Sequence, residues 1–335
     1  MPAALRILVV RFSSLGDVLL TTPLIRALRA RHPDATLAAL TSRACAPLFA
    51  GNPRLDEVLA LEPGESLPAL ARRLRRRRFT HLLDLHGSLR SRVLRLLVPG
   101  RWRGFDPRRG PRRELIRHKR DIYPDRLPVA ERYFEAARDL GVEPDGKPAE
   151  FFASPRALAA VDEWLGGADT GRGLVALAPG AAHPTKRWPL AHWERLAASL
   201  ARQGWLVAVL GGPEDAVAAD VVARAAGERG RNAAGRFDLQ GAGALLARAR
   251  VAVAGDTGLM HLATAVGAPV VALFGPTVEQ FGFFPYRARA VVLERDLPCR
   301  PCSSKGGRAC PLGHHRCLAE IVPDQVLPRV LELAS

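Results

Sequence analysis

The chain has 335 residues, 48% of them hydrophobic and 24% charged, enough for two domains of ordinary size with full cores. No apolar run approaches the roughly 18–20 residues that span a bilayer. The net charge of +16 is concentrated, because residues 72–120 hold 18 Arg and Lys against the three acids Asp84, Asp106 and Glu114, a local net of +15. Such a field attracts polyanions, whether nucleic acid, anionic lipid headgroups or a phosphorylated glycan. Coding bias can explain why arginine outnumbers lysine 45 to four. It does not explain the missing acids.

Met1 to Val10 carries one Arg and a short apolar stretch, with no long h-region and no small-residue cleavage site. It reads as a first strand, Leu5–Val10, rather than a signal peptide, so a cytoplasmic protein is expected. Strands follow at Thr36–Leu40, Glu57–Leu61, Thr80–Leu85 and Arg101–Phe105, with helical patterns at Val18–Arg31, Ser66–Arg76 and Ser88–Leu97 between them. Arg108–Arg120 shows no clean period and is expected as a mobile loop. Helical pattern resumes at Leu127–Leu140, and Gly166–Gly173 reads as a linker. Beyond it come strands at Leu174–Ala178, Trp205–Leu210, Val251–Ala254, Val270–Phe274 and Ala290–Leu293. Their helices are Pro189–Arg202, Glu214–Gly227, Gly241–Ala249 and Thr257–Val266, and Asp324–Leu333 ends the chain. Near-continuous apolar strands alternating with helices predict α/β structure: two doubly wound domains whose parallel sheets are covered on both faces. Ligands of such folds bind beyond the C-terminal ends of the strands.

The candidate chemistry lies in the loops at those ends. After the first strand, Arg11-Phe12-Ser13-Ser14-Leu15-Gly16-Asp17 offers Gly16 for a tight turn. Asp17 is either a helix cap or a general base taking a proton from an attacking hydroxyl. Ala178-Pro179-Gly180 through Lys186-Arg187-Trp188-Pro189 brings small residues, including Gly180, for close approach of the backbone to a ligand. Lys186, one of the four lysines, can neutralise a departing diphosphate; the alternative is a surface lysine before a helix. In Gly211-Gly212-Pro213-Glu214-Asp215, Glu214 or Asp215 can bond ribose hydroxyls, and Phe237 can stack on a base. Gly255-Asp256-Thr257-Gly258-Leu259-Met260-His261 closes a strand and opens a helix, so its N–H groups and hydroxyl suit phosphate. An ordinary βα connection with Thr257 as N-cap is the plainer alternative.

No G-x-G-x-x-G, Walker P-loop or D-x-D motif is present. Cys299, Cys302, Cys310 and Cys317 form C-x2-C-x7-C-x6-C, a spacing that permits a structural zinc site. A reduced, unliganded loop is the alternative.

Taken together, R-F-S-S-L-G-D-V-L-L-T-T-P, P-G-A…K-R-W-P…W and G-D-T-G-x-x-H-L-A-x-A…P-x-V-x-L-F-G-P-T resemble the family 9 glycosyltransferases, the ADP-heptose:lipopolysaccharide heptosyltransferases and their relatives. The likeness runs in order over nearly the whole chain and is weakest at Arg101–Arg126. It implies a GT-B fold: two Rossmann-like domains facing across a cleft, with the final helix crossing back to the first. Residues 1–165 would be the acceptor domain, 172–322 the donor domain and 323–335 that helix. It implies inverting transfer of heptose from ADP-L-glycero-D-manno-heptose to the lipopolysaccharide inner core, with no cofactor and no catalytic metal.

By the same resemblance Asp17 is the general base and Lys186 the diphosphate contact. Gly180, Glu214 or Asp215, Phe237, Asp256, Thr257, Gly258 and His261 are on the donor side. Ser13, Ser14, Gly16, His86 and Arg90 are on the acceptor side. The acceptor is acidic, so the basic segment would dock it and the anionic lipid surface, placing the enzyme peripherally at the inner face of the inner membrane. Another nucleotide sugar, or an epimerase of the same fold, are the alternatives. A nucleic-acid-binding protein would explain the charge but not the Asp17, Lys186 and Asp-Thr-Gly set, and no reading module with aromatic platforms is present.

Overall fold

A strand buried on both faces must find partners on both edges, and the apolar runs of this chain do so in two separate sheets. The computed structural model describes residues 5–167 and 171–335. The chain divides into two compact units, Met1–Pro107 with Leu127–Phe152, and Arg108–Arg126 with Ala153–Ser335.

The first unit runs β1 (Arg6–Val10), α1 (Leu15–Leu19), α2 (Thr22–Arg31), β2 (Thr36–Ser42), β3 (Glu57–Leu61), α3 (Leu67–Arg75), β4 (His81–Asp84), α4 (Leu89–Leu97) and β5 (Arg101–Gly104). Its sheet is parallel in the order β3-β2-β1-β4-β5. Leu8 and Val10 of β1 join one core with Leu70 and Leu74 of α3 and Leu94 of α4. The alternating Ile7 and Val9 are buried too, so both faces are covered.

The helix expected over Val18–Arg31 is two helices. The Thr21 and Thr22 hydroxyls donate to the carbonyls of Val18 at 2.7 Å and Leu19 at 2.8 Å, and Pro23 has no N–H to continue the ladder. The segment expected as a mobile loop is likewise different: it contains α5 (Arg109–His118) and groups with the second unit. Arginine at four of ten positions hides its period, and Leu115 is its one buried side chain. Contacts outside the helix fix it. The Lys119 ammonium donates to the carbonyls of Cys299 at 3.0 Å and Pro301 at 2.6 Å, and Arg112 lies 5.3 Å from the Phe281 ring centroid. In the first unit, Leu127–Leu140 becomes α6 (Val129–Arg132) and a 3-10 turn, Tyr133–Leu140.

The second unit continues with α7 (Pro155–Leu165), β6 (Leu174–Ala178), α8 (Leu190–Arg202), β7 (Leu206–Val209), α9 (Ala216–Ala225), β8 (Gly230–Asn232), α10 (Leu239–Arg248), β9 (Val251–Gly255), α11 (Gly258–Ala265), β10 (Val270–Phe274), β11 (Ala290–Glu294), α12 (Arg316–Ala319) and α13 (Pro323–Ala334). The sheet order is β11-β10-β9-β6-β7-β8, again parallel. The division between units falls before α7 rather than at the Gly-rich stretch, of which residues 168–170 lie outside the described residues. α7 packs on α10, with Trp164 edge-on to Phe237. The final helix, which the resemblance expects to cross back to the first domain, has Val326, Val330 and Leu333 in the second unit's core with α8 and β9.

Candidate active site

In each sheet the strand order reverses beside the unit's first strand, between β1 and β4 and between β6 and β9. Loops leaving such a pair diverge to opposite faces and open a crevice at the C-terminal edge. Asp17 stands at the first reversal and Lys186 with Asp256 at the second, whereas Glu214 and Phe237 follow β7 and β8 farther along the second sheet.

In the first unit, Val10 pairs with Asp84, so Arg11 leaves β1 beside Leu85 and donates to its carbonyl at 2.5 Å. The guanidinium also donates to the Ser13 carbonyl at 2.7 Å and pairs with Asp17 at 2.6 Å. Asp17 takes further bonds from the Ser14 hydroxyl at 2.8 Å and N–H at 3.3 Å, and from the Tyr133 hydroxyl at 3.3 Å. It therefore caps α1 and is also held from two sides, by Arg11 and Tyr133. Its side chain keeps 15% exposure. Gly16 has a buried helical position inside α1 rather than a tight turn.

Ser13 and Ser14 are exposed at this edge. Phe12 is sandwiched behind them, with the His86 ring edge-on at 5.2 Å and the Arg90 guanidinium 5.8 Å from its centroid. Asp84 shapes the His86 turn by accepting the His86 N–H at 3.0 Å and the Gly87 N–H at 2.9 Å. Burial, then the neighbouring Arg11 charge, pushes His86 below the usual histidine range, leaving it neutral at pH 7. Sequence reasoning missed Arg11 and Tyr133 as parts of this group. Arg11 stands in the same motif as Asp17; Tyr133 lies 116 positions away and carries no local signal.

In the second unit, Ala178 pairs with Ala254, which brings the loops after β6 and β9 side by side. Lys186 and Asp256 meet there at 2.5 Å, with side-chain exposures of 13% and 9%. The Thr277 hydroxyl donates to the same carboxylate oxygen at 2.7 Å. A cation is thus held at the end of β9 by a buried acid. Two glycines wall the lysine: a Cβ on Gly255 would stand 3.0 Å from the Lys186 carbonyl oxygen, and one on Gly306 would stand 3.3 Å from its Cγ. The turn that carries Lys186 is tied down at Thr185, whose hydroxyl accepts the Gly307 N–H at 2.8 Å and whose carbonyl meets His315 Nε2 at 2.9 Å.

Thr257 is the extended N-cap residue of α11, but its hydroxyl makes no capping bond. Its Oγ1 is buried without a hydrogen-bond partner. A buried hydroxyl without a bond is costly, and here it stands beside Gly258 at the positive end of a helix. The arrangement suits an incoming anion. His261 is buried one turn on, its ring 6.5 Å from Phe283.

Asp215 is committed to its own turn. Its carboxylate accepts the Gly212 N–H at 3.1 Å, and a Cβ on Gly180 would strike it at 2.1 Å. Glu214 is exposed and is the acid of this loop left for a ligand. Phe237 packs over Gly241, where a Cβ would come within 2.8 Å, and is braced by Trp164 at 5.4 Å.

Cys299, Cys302, Cys310 and Cys317, whose spacing permits a structural zinc site, lie in the second unit. Among the described residues no group of three or more His, Cys, Asp or Glu side chains is placed to hold a metal ion, and the four cysteines are free thiols. They sit in different surroundings. Burial pushes the Cys317 thiol, beside Gly275, up to about 11. Burial also raises Cys310, but the N–H groups of His315, Leu312, His314 and Gly313 outweigh it and bring that thiol below its usual range. Since the thiolate is the reactive form, iodoacetamide at neutral pH is expected to label Cys310 well ahead of Cys317, read by peptide mass mapping. Equal rates would contradict these assignments.

A sequence profile described as Glycosyltransferase family 9 (heptosyltransferase) matches residues 67–312. Lipopolysaccharide heptosyltransferase 2 of Salmonella typhimurium is 31% identical, over 99% of this chain and 99% of that protein. The solved structure of Escherichia coli ADP-heptose lipopolysaccharide heptosyltransferase II superposes with a TM-score of 0.77 at 27% identity, covering 98% of each chain. A family 9 glycosyltransferase structure from Veillonella parvula gives a TM-score of 0.82 at 24% identity, over 100% of this chain and 98% of that one, and bears on the fold alone.

Proposed function

The chain belongs to glycosyltransferase family 9, and from that membership we propose that it moves a heptose from ADP-L-glycero-D-manno-heptose to the inner core of lipopolysaccharide, inverting the anomeric centre. The observation that carries the donor side is the Lys186–Asp256 pair beside the unbonded Thr257 hydroxyl at the start of α11. It offers fixed positive charge and N–H groups where a diphosphate gains negative charge.

The reaction is a direct displacement. An acceptor hydroxyl oxygen bonds to the anomeric carbon as the bond from that carbon to the diphosphate oxygen breaks, and the electron pair leaves with ADP. Asp17 takes the hydroxyl proton. Arg11 and Tyr133 aim the Asp17 carboxylate, and Lys186 with the N–H groups around Thr257 and Gly258 stabilises the departing diphosphate. Glu214 binds the ribose, Phe237 contacts the adenine, and His261 supports the phosphate turn from within the helix. Ser13, Ser14, His86 and Arg90 line the acceptor side. Because the acceptor is a membrane glycolipid, the enzyme works peripherally at the inner face of the inner membrane, with its basic segment toward the anionic surface.

A thermal-shift panel of ADP-, GDP-, UDP- and dTDP-sugars tests the donor. ADP-heptose at about 100 times its Kd is expected to stabilise the protein by roughly 2.7 kcal/mol, with smaller shifts for the others. A larger shift with another nucleotide sugar would replace the donor. Conversion of the ADP-sugar in acceptor-free buffer would favour an epimerase.

A further inference from the structure

We propose that the outer face of α3 and α4 is a docking surface for an anionic phospholipid bilayer, with α4 inserting leucines between arginines. The proposal deepens the reading above and rests on it for the need to reach a membrane acceptor.

The two helices pack on one another in the first unit, and Arg75 of α3 donates to the Leu97 carbonyl at 2.6 Å. On α4 the side chains that enter the core are Ser91 and Leu94, with Val98 just beyond. At 100° per residue the line opposite them is Leu89, Arg92, Val93 and Leu96. A soluble helix places polar groups there. Here Leu89 is 78% exposed and Leu96 85%, one above the other two turns apart.

On α3 the buried side is Leu70, Ala71 and Leu74, which turns Arg72 and Arg76 straight outward. Like charges at this i, i+4 spacing repel. Among the described residues no carboxylate pairs with Arg72, Arg76, Arg92 or Arg95. From Ser66 to Phe105 the only acid is Asp84, and its Oδ1 is occupied by the His86 and Gly87 N–H groups. By contrast Arg73 and Arg77 have Glu65 and Glu57. The outermost arginines are therefore those left without acids.

Apolar side chains set among unneutralised arginines match an interface in which acyl chains meet phosphate. A nucleic acid would satisfy the arginines and leave the leucines in water. Near the C-terminal ends of both helices, Leu74, Phe79 and Val98 with Arg75 and Arg78 line a pocket of about 230 Å³, the same pairing of apolar wall and cation.

The test is co-sedimentation of the full chain with vesicles of phosphatidylglycerol and phosphatidylcholine against phosphatidylcholine alone. Wild type is expected to bind the anionic vesicles. Arg92→Ser with Arg95→Ser should weaken binding about fivefold per arginine, and Leu96→Ser should weaken it at least several-fold while leaving binding to heparin unchanged. Folding of each variant is read from its ADP-induced thermal shift. Absence of vesicle binding, or vesicle binding indifferent to both changes, overturns the proposal. So does loss on heparin matching loss on vesicles with Leu96→Ser without effect, which would make the face a polyanion surface. Vesicle binding that depends on these residues in a protein indifferent to every nucleotide sugar would leave this face standing and remove the transferase reading instead.

Discussion

Asp17→Ala is expected to slow sugar transfer by about 10²–10⁴-fold, the usual worth of a positioned general base, while ADP affinity stays nearly unchanged. The two outcomes separate because the residues assigned to ADP belong to the second unit and Asp17 to the first. Arg11 and Tyr133 hold the carboxylate, so its loss removes the proton acceptor and leaves an uncompensated guanidinium behind. Asp17 also caps α1, and removing a cap costs about 1 kcal/mol. A melting curve of the variant therefore accompanies its kinetics. Asp17→Asn keeps the side chain's size and one accepting oxygen without its basicity, and should be nearly as slow. Turnover near wild type in either variant would take Asp17 out of the base role and leave it as a cap.

Lys186→Ala should act on both stability and chemistry. Asp256 is 8% exposed, and without the lysine its carboxylate keeps the Thr277 hydroxyl bond at 2.7 Å. Stranding a buried carboxylate costs roughly 3 kcal/mol. Loss of a cation from the diphosphate should lower kcat/KM by about 10²-fold, with donor affinity reduced as well. The double variant Lys186→Ala with Asp256→Asn resolves the two effects: it should recover much of the melting temperature and none of the transfer rate. Unchanged donor affinity and rate in the single variant would reduce Lys186 to a structural partner of Asp256.

The central strands were legible because burial on both faces demands unbroken apolar runs, and β6, β9 and β10 carry them. Edge strand β8 was not, since Gly230-Arg231-Asn232 is only partly buried and holds no apolar side chain. α7 escaped notice because its core face is Ala157 and Val161, too small a stripe to stand out. α5 was hidden by its arginines and owes its place to groups distant in sequence, Phe281, Cys299 and Pro301. The same division runs through the candidate site. Asp17, Lys186 and the Asp256-Thr257-Gly258 turn announce themselves by their position after apolar strands. Their partners Tyr133 and Gly307 arrive only through the fold, and Thr277, though it closes the quoted L-F-G-P-T motif, shows its bond to Asp256 only there.

The glycines that wall Lys186 bear on how substitution data from this enzyme should be interpreted. Gly255 and Gly306 have no side chain to offer a substrate, and yet a single added methyl at either crowds the lysine's carbonyl or its stem. In a saturation scan scored by transfer, both positions are expected to lose activity without supplying an atom to the reaction, because a Cβ at Gly306 meets His183 at 2.7 Å and one at Gly255 meets the Lys186 carbonyl at 3.0 Å. Intolerance at a position in this chain therefore does not mark a reacting group, and the inert positions around Lys186 belong on the same map as the lysine itself.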